Sequence, residues 1–150
     1  MKFTSGLPET ECGFGSTLVA TEYIRFRLPL VFRQLGIKHL IDAPCGDLNW
    51  LRLVEVETYI GLDNNRDHLA KAQKTGRDVR YSNIINEQLP KGDALLSRDF
   101  LQHIPTEWAI EFIRNFLRSG TEWLIITSHS NSINQDLRDP GDRKSTRLNS

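Results

Sequence analysis

The stretch that most constrains this chain is Leu40-Ile41-Asp42-Ala43-Pro44-Cys45-Gly46-Asp47, an apolar run that ends in an acidic, glycine-bearing turn. A second apolar run, Tyr59-Ile60-Gly61-Leu62, ends in Asp63, 21 residues after Asp42. Two such runs around a short helical stretch read as neighbouring parallel strands. An acid at the tip of the second stands where βαβ units meet a ribose. The pair points to an open α/β sheet with a nucleoside-containing ligand at its strand ends.

The turn narrows the ligand. A dinucleotide fingerprint needs three glycines, so that backbone N–H groups and a helix start can approach a pyrophosphate. Here the turn reads Pro44-x-Gly46-x-x-Asn49. Proline has no N–H to donate, and asparagine brings a side chain where close helix packing wants none. A ligand with a ribose and a zwitterionic tail but no phosphate still needs Gly46 for close approach and Asp63 for two hydroxyls. S-adenosylmethionine fits that description.

Asp42-Ala-Pro-Cys-Gly-Asp47-x-Asn49-Trp50 followed by Tyr59-Ile-Gly-x-Asp63 resembles the class I methyltransferases whose turn reads Asp-Ala-Pro-Cys-Gly-Asp. Upstream, Glu9-Thr10-x-Cys12-Gly13-x-Gly15-Ser16, Ile24-Arg25 and Leu28-Pro29 are similar to that family's leader. Downstream, Ser97-Arg98-Asp99-x-x-x-His103 is similar to its segment after the fourth strand, so the likeness covers roughly residues 8 to 136. It implies a Rossmann-like open sheet of mostly parallel strands with flanking helices, S-adenosylmethionine as cofactor, and methyl transfer to an acceptor that no residue here identifies. The alternative is a methyltransferase-fold binding or scaffold module without catalysis. A nicotinamide-dependent dehydrogenase is disfavoured by Pro44 and Asn49.

The resemblance also implies a site. Asp63, with Asn64 beside it, is expected to take the ribose hydroxyls. Asp42 is expected to hold the turn and the amino group of the methionine moiety, with Ala43, Pro44, Cys45 and Gly46 forming the approach. Asp47 either faces the sulfonium or amino end or caps the short helix that follows. Ser82 and Asn83 follow the third strand, where the family usually has an acid for the adenine amino group. The Asn83 amide oxygen can accept that bond, and an ordinary turn is the competing reading. Arg98 flanks the methyl-donor end or simply pairs with Asp99. His103 is the candidate general base, against a structural role. Arg25 is the candidate partner for the cofactor carboxylate. Gly13-Phe14-Gly15-Ser16 makes no phosphate cradle, because no strand precedes it and no lysine follows. Trp50 and Trp108 read as core or rim aromatics.

Composition sets outer limits. The 150 residues suit one domain with a sizeable core. Nineteen basic and 19 acidic residues give zero net charge, so no broad field argues for nucleic acid or an anionic membrane as partner. No run of about 18 apolar residues and no signal-peptide core at the start make the cytoplasm the default. Cys12 and Cys45 are then expected to be reduced and buried, with no metal site.

The periodicity predicts a helix over 17–35 with Ser16 as N-cap, Pro29 bending or splitting it and Gly36 ending it. It then predicts strand 38–42, short helix 48–54, strand 59–62, helix 65–74, strands 78–82 and 93–97, helix 106–118 capped by Thr106, and strand 122–127. Residues 142–150 resemble the in-frame translation of a common sequencing-library adapter. Without them, 16 basic and 18 acidic residues leave a net charge of −2. The expected organisation is a domain over 1–141, with a leader and N-terminal helix in 1–36 and a cofactor-binding core in 37–141. It would lack the family's last strands and leave an aggregation-prone edge beside 122–127.

Overall fold

The computed structural model describes residues 8–128. Strands β1 (His39–Asp42), β2 (Thr58–Asp63), β3 (Asp78–Tyr81), β4 (Ala94–Ser97) and β5 (Trp123–Ile126) form one sheet in the order β3-β2-β1-β4-β5. Every pairing is parallel. Helices α1 (Glu22–Leu35), α2 (Arg66–Gln73) and α3 (Thr106–Ser119) flank the sheet. This is the Rossmann-like architecture that the sequence implies. The chain enters at β1, builds outward to β3, and returns to lay β4 on the other side of β1. The order therefore reverses between β1 and β4, which opens a crevice at their carboxyl ends.

Burial explains why the strands read as unbroken apolar runs. Successive side chains of a strand point to opposite faces. Leu40 and Leu96 enter one cluster with Leu28 and Phe32 of α1 and Leu69 of α2. Ile41 and Leu95 enter a second with Phe112 and Phe116 of α3. With both faces covered, β1 and β4 have no reason to alternate with polar residues. Each buried Leu, Ile or Phe stabilises the fold by about 1.5–3 kcal/mol.

Several boundaries differ from the sequence expectation. The first helix starts at Glu22, and its N-cap is Thr21 rather than Ser16. Residues 17–21 are held in local turns instead, with Thr21 Oγ1 donating to Thr17 O over 2.7 Å and Thr17 Oγ1 to Phe14 O over 2.8 Å. Pro29 lies inside one helix and does not split it, while Gly36 ends it at φ 68°. The short helix expected over 48–54 is a single 3-10 turn, Leu51–Leu53. The preceding chain is taken up by a tight bend with Gly46 and Leu48 both at φ 60°. In α3, Pro105 occupies the N-cap and Thr106 is already helical.

Asn115 is a buried polar residue of α3 that joins two layers. Its Nδ2 donates to Ile84 O over 2.9 Å and to Glu87 O over 2.6 Å. It thereby holds the short connection between β3 and β4 against the helix. Whatever lies beyond residue 128, including the adapter-like segment and the edge expected beside β5, is outside the described residues. Among the described residues, no helix is long and apolar enough to cross a membrane.

Candidate functional site

The turn after β1 is fastened to the tip of β2. Gly46 N–H donates to Asp63 Oδ2 over 2.8 Å, and Asn65 N–H donates to Asp63 Oδ1 over 2.8 Å. Asp63 is buried, yet each oxygen keeps a lone pair for a further donor. Asn65 caps α2, accepting from the N–H groups of Asp67 and His68. Gly46 is required twice over. Its φ of 60° favours glycine, and a Cβ there would stand 2.7 Å from Cys12 Sγ.

Asp42, at the tip of β1, is 4% exposed. One oxygen accepts the Tyr59 hydroxyl at 2.7 Å, and the other has no protein donor among the described residues. Arg77 lies over the Tyr59 ring at 4.8 Å and donates Nη2 to Val54 O over 2.6 Å. Burial pushes the Asp42 carboxyl up to about 7, although the Tyr59 hydrogen bond pulls it down. The Asp63 charge adds to the rise, and Arg77 opposes it.

The leader forms a wall of the site through Asp47. Thr10 Oγ1 and Glu11 N–H donate to Asp47 Oδ2 over 2.7 and 2.9 Å, and Asn49 N–H donates to Oδ1 over 3.1 Å. Burial alone would raise the Asp47 carboxyl, but these hydrogen bonds hold it below its ordinary value. Glu9 adds a second fastening, accepting from Leu18 N–H and Asn49 Nδ2 over 2.7 Å each.

A cleft of about 200 Å³ lies between these groups, lined by Asp42, Pro44, Cys45, Gly46, Asp47 and Asp63 together with Arg98. Its remaining walls include Cys12, Ser16, Trp50, His68 and Asp99. Arg98 lies over the Trp50 ring at 5.4 Å and pairs with Asp99 at 3.0 Å. Leu48 and Asp99, flanking the cleft, both hold a positive φ, at 60° and 52°. Burial pushes the Cys12 thiol up to about 11 and the Cys45 thiol well above its ordinary value, so both are protonated.

Other residues nominated by the sequence lie elsewhere. Arg25 is turned to its own helix start, donating to Thr21 Oγ1 over 3.3 Å and Leu18 O over 2.8 Å, and does not line the cleft. Ala43 is fully buried beneath the turn in the α3-side cluster. Asn64 is exposed. Ser82 lines a different cavity with Arg80 and Lys91. Asn83 closes a turn by accepting Ile85 N–H over 3.1 Å. His103 is exposed in the 3-10 turn Leu101–His103. His68 was missed by sequence reasoning. The available signal was its place in the first turn of the helix that leaves Asp63. Among the described residues, no cluster of His, Cys, Asp and Glu could hold a metal.

Solved structures share this fold at low identity. The methyltransferase domain of bacterial CtHen1-CN aligns with a TM-score of 0.64 and 17% identity, over 71% of this chain and 65% of that one. SAM-bound CalS10, an amino pentose methyltransferase from Micromonospora echinaspora, gives 0.58 and 15%, over 69% of this chain and 49% of that one. Magnesium protoporphyrin IX methyltransferase from Synechocystis PCC 6803, with bound SAH, gives 0.57 and 15%, over 77% and 58%. The chain spans less than two-thirds of the length of each. No family model and no curated protein matches the sequence. This chain has the Rossmann-like α/β fold of S-adenosylmethionine-dependent methyltransferases.

Proposed function

We propose that this chain binds S-adenosylmethionine in the cleft at the tips of β1, β2 and β4 and passes a methyl group to an acceptor, as a methyltransferase of the Asp-Ala-Pro-Cys-Gly-Asp type. The observation that carries this reading is that Asp42 and Asp63, on adjacent strand tips, line one cleft. The groups present fit the cofactor. Asp63 keeps lone pairs for two ribose hydroxyls, and Asp42 has an oxygen without a protein donor for the amino group. Arg98 supplies the guanidinium for the carboxylate in place of Arg25. Gly46 leaves room where any side chain would meet Cys12.

The bound cofactor supplies a methyl group made electrophilic by a positively charged sulfur. What remains for the protein is to orient both partners and exclude water. Asp63 and Gly46 set the nucleoside end, and Asp42 and Arg98 set the amino-acid end. Asp47 has both oxygens engaged by the leader and the turn, so its work is to close the wall. The experiment is transfer of labelled methyl from S-adenosylmethionine into cell extract. Label should appear with the parent and not with Asp63→Ala.

A non-catalytic binding module of the same fold is the second reading. It is favoured by the position of His103, the nominated base, outside the cleft. Turnover of any acceptor removes it.

A further inference from the structure

His68 is the third residue of α2, and its ring lines the same cleft as Asp63. Nδ1 stands 3.8 Å from Asp63 Oδ2. Direct N–H···O bonds run to about 3.2 Å, so ring and carboxylate face each other without bonding. A single hydroxyl oxygen, about 2.8 Å from each, can span that gap by donating to the carboxylate and accepting from the ring. Both sides of the gap are anchored. The carboxylate is gripped by the N–H groups of Gly46 and Asn65, and the start of α2 is capped by Asn65.

The other ring nitrogen has a partner compatible with that direction. Nε2 lies 3.9 Å from Cys12 Sγ. Burial keeps that thiol protonated, so its S–H is able to donate to Nε2. A ring with its proton on Nδ1 satisfies both sides, taking the S–H at Nε2 and offering its N–H to the gap beside Asp63.

We propose that His68 is a second holder of the sugar: one hydroxyl of the ribose diol donates to Asp63 and accepts from His68 Nδ1. The assignment rests on the cofactor reading above and adds a specificity determinant, selection of ribose over a sugar lacking one particular hydroxyl.

The test is calorimetric titration of the full chain with S-adenosylhomocysteine and with its 2′-deoxy and 3′-deoxy analogues, alongside a melting curve for each variant. The parent should prefer the ribose compound over one of the two analogues by about tenfold. His68→Ala should lose roughly three- to tenfold in affinity for the ribose compound and almost nothing for that analogue. His68→Asn keeps an amide donor near Nδ1 and should retain much of the preference. His68→Gln moves the donor toward Nε2 and should behave as His68→Ala, which preserves the comparison if the alanine variant melts too low. A ribose preference identical in parent, His68→Ala and His68→Gln overturns the His68 assignment and leaves the cofactor reading standing. Absence of binding by the parent to all three compounds overturns both.

Discussion

Gly46 N–H donates to Asp63 Oδ2 over 2.8 Å, which locks the turn after β1 to the tip of β2. One carboxylate thus shapes the backbone loop and faces the cleft. The loop and the acid cannot move independently, and substitutions in either should affect both stability and binding.

Gly46→Ala should destabilise the fold by about 1–2 kcal/mol, because an L-residue at φ 60° meets its own carbonyl. The new methyl would also press on Cys12 Sγ. Urea denaturation of Gly46→Ala and of Gly46→Ala/Cys12→Ala separates these effects. The double variant should recover only the part due to the sulfur.

Asp42 should make stability fall as pH rises. Its folded carboxyl titrates at about 7 against 3.8 for the free group. The folded state therefore holds the extra proton between those values, and raising pH across that window favours unfolding. Asp42→Asn should melt higher than the parent at pH 8, by an amount on the order of 4 kcal/mol at most, and match it near pH 4. Cofactor affinity of the parent should rise through pH 7 as the carboxylate forms.

Asp47 works in the opposite sense. Its carboxyl is held below the usual value, so its stabilisation is present above the unfolded pKa and is lost as pH falls through the folded one. Asp47→Ala frees Thr10 and Glu11 from the turn. Amide exchange of residues 9–16 should then speed up severalfold at neutral pH while β1 and β4 stay protected.

The order of elements was legible because β1 and β4 are covered on both faces, and that burial leaves unbroken apolar runs in the chain. Asp42 and Asp63 were legible for a related reason, since acids at the ends of such runs do not belong to an apolar cluster and call for polar partners. Side-chain partners outside the strands were not. Nothing local distinguishes Arg25 reaching toward a cleft from Arg25 bonded to Leu18 O seven residues back. Asn115 reads as a surface break in an apolar helix face until the Ile84 and Glu87 carbonyls are seen beneath it. His68 escaped because the groups around its ring, Asp63 and the leader residue Cys12 56 positions away, come together only in the fold.

Asn115→Leu measures the worth of that buried link. It fills similar space but leaves two carbonyls without their donor, so it should cost about 1–3 kcal/mol. Urea midpoints at constant slope would show it.

Titration of the parent with S-adenosylhomocysteine tests the central claim most directly. The account predicts saturable heat with the parent and its loss in Asp63→Ala, checked for folding by its melting curve. Absence of heat at millimolar ligand, or equal binding by a folded Asp63→Ala, would contradict it.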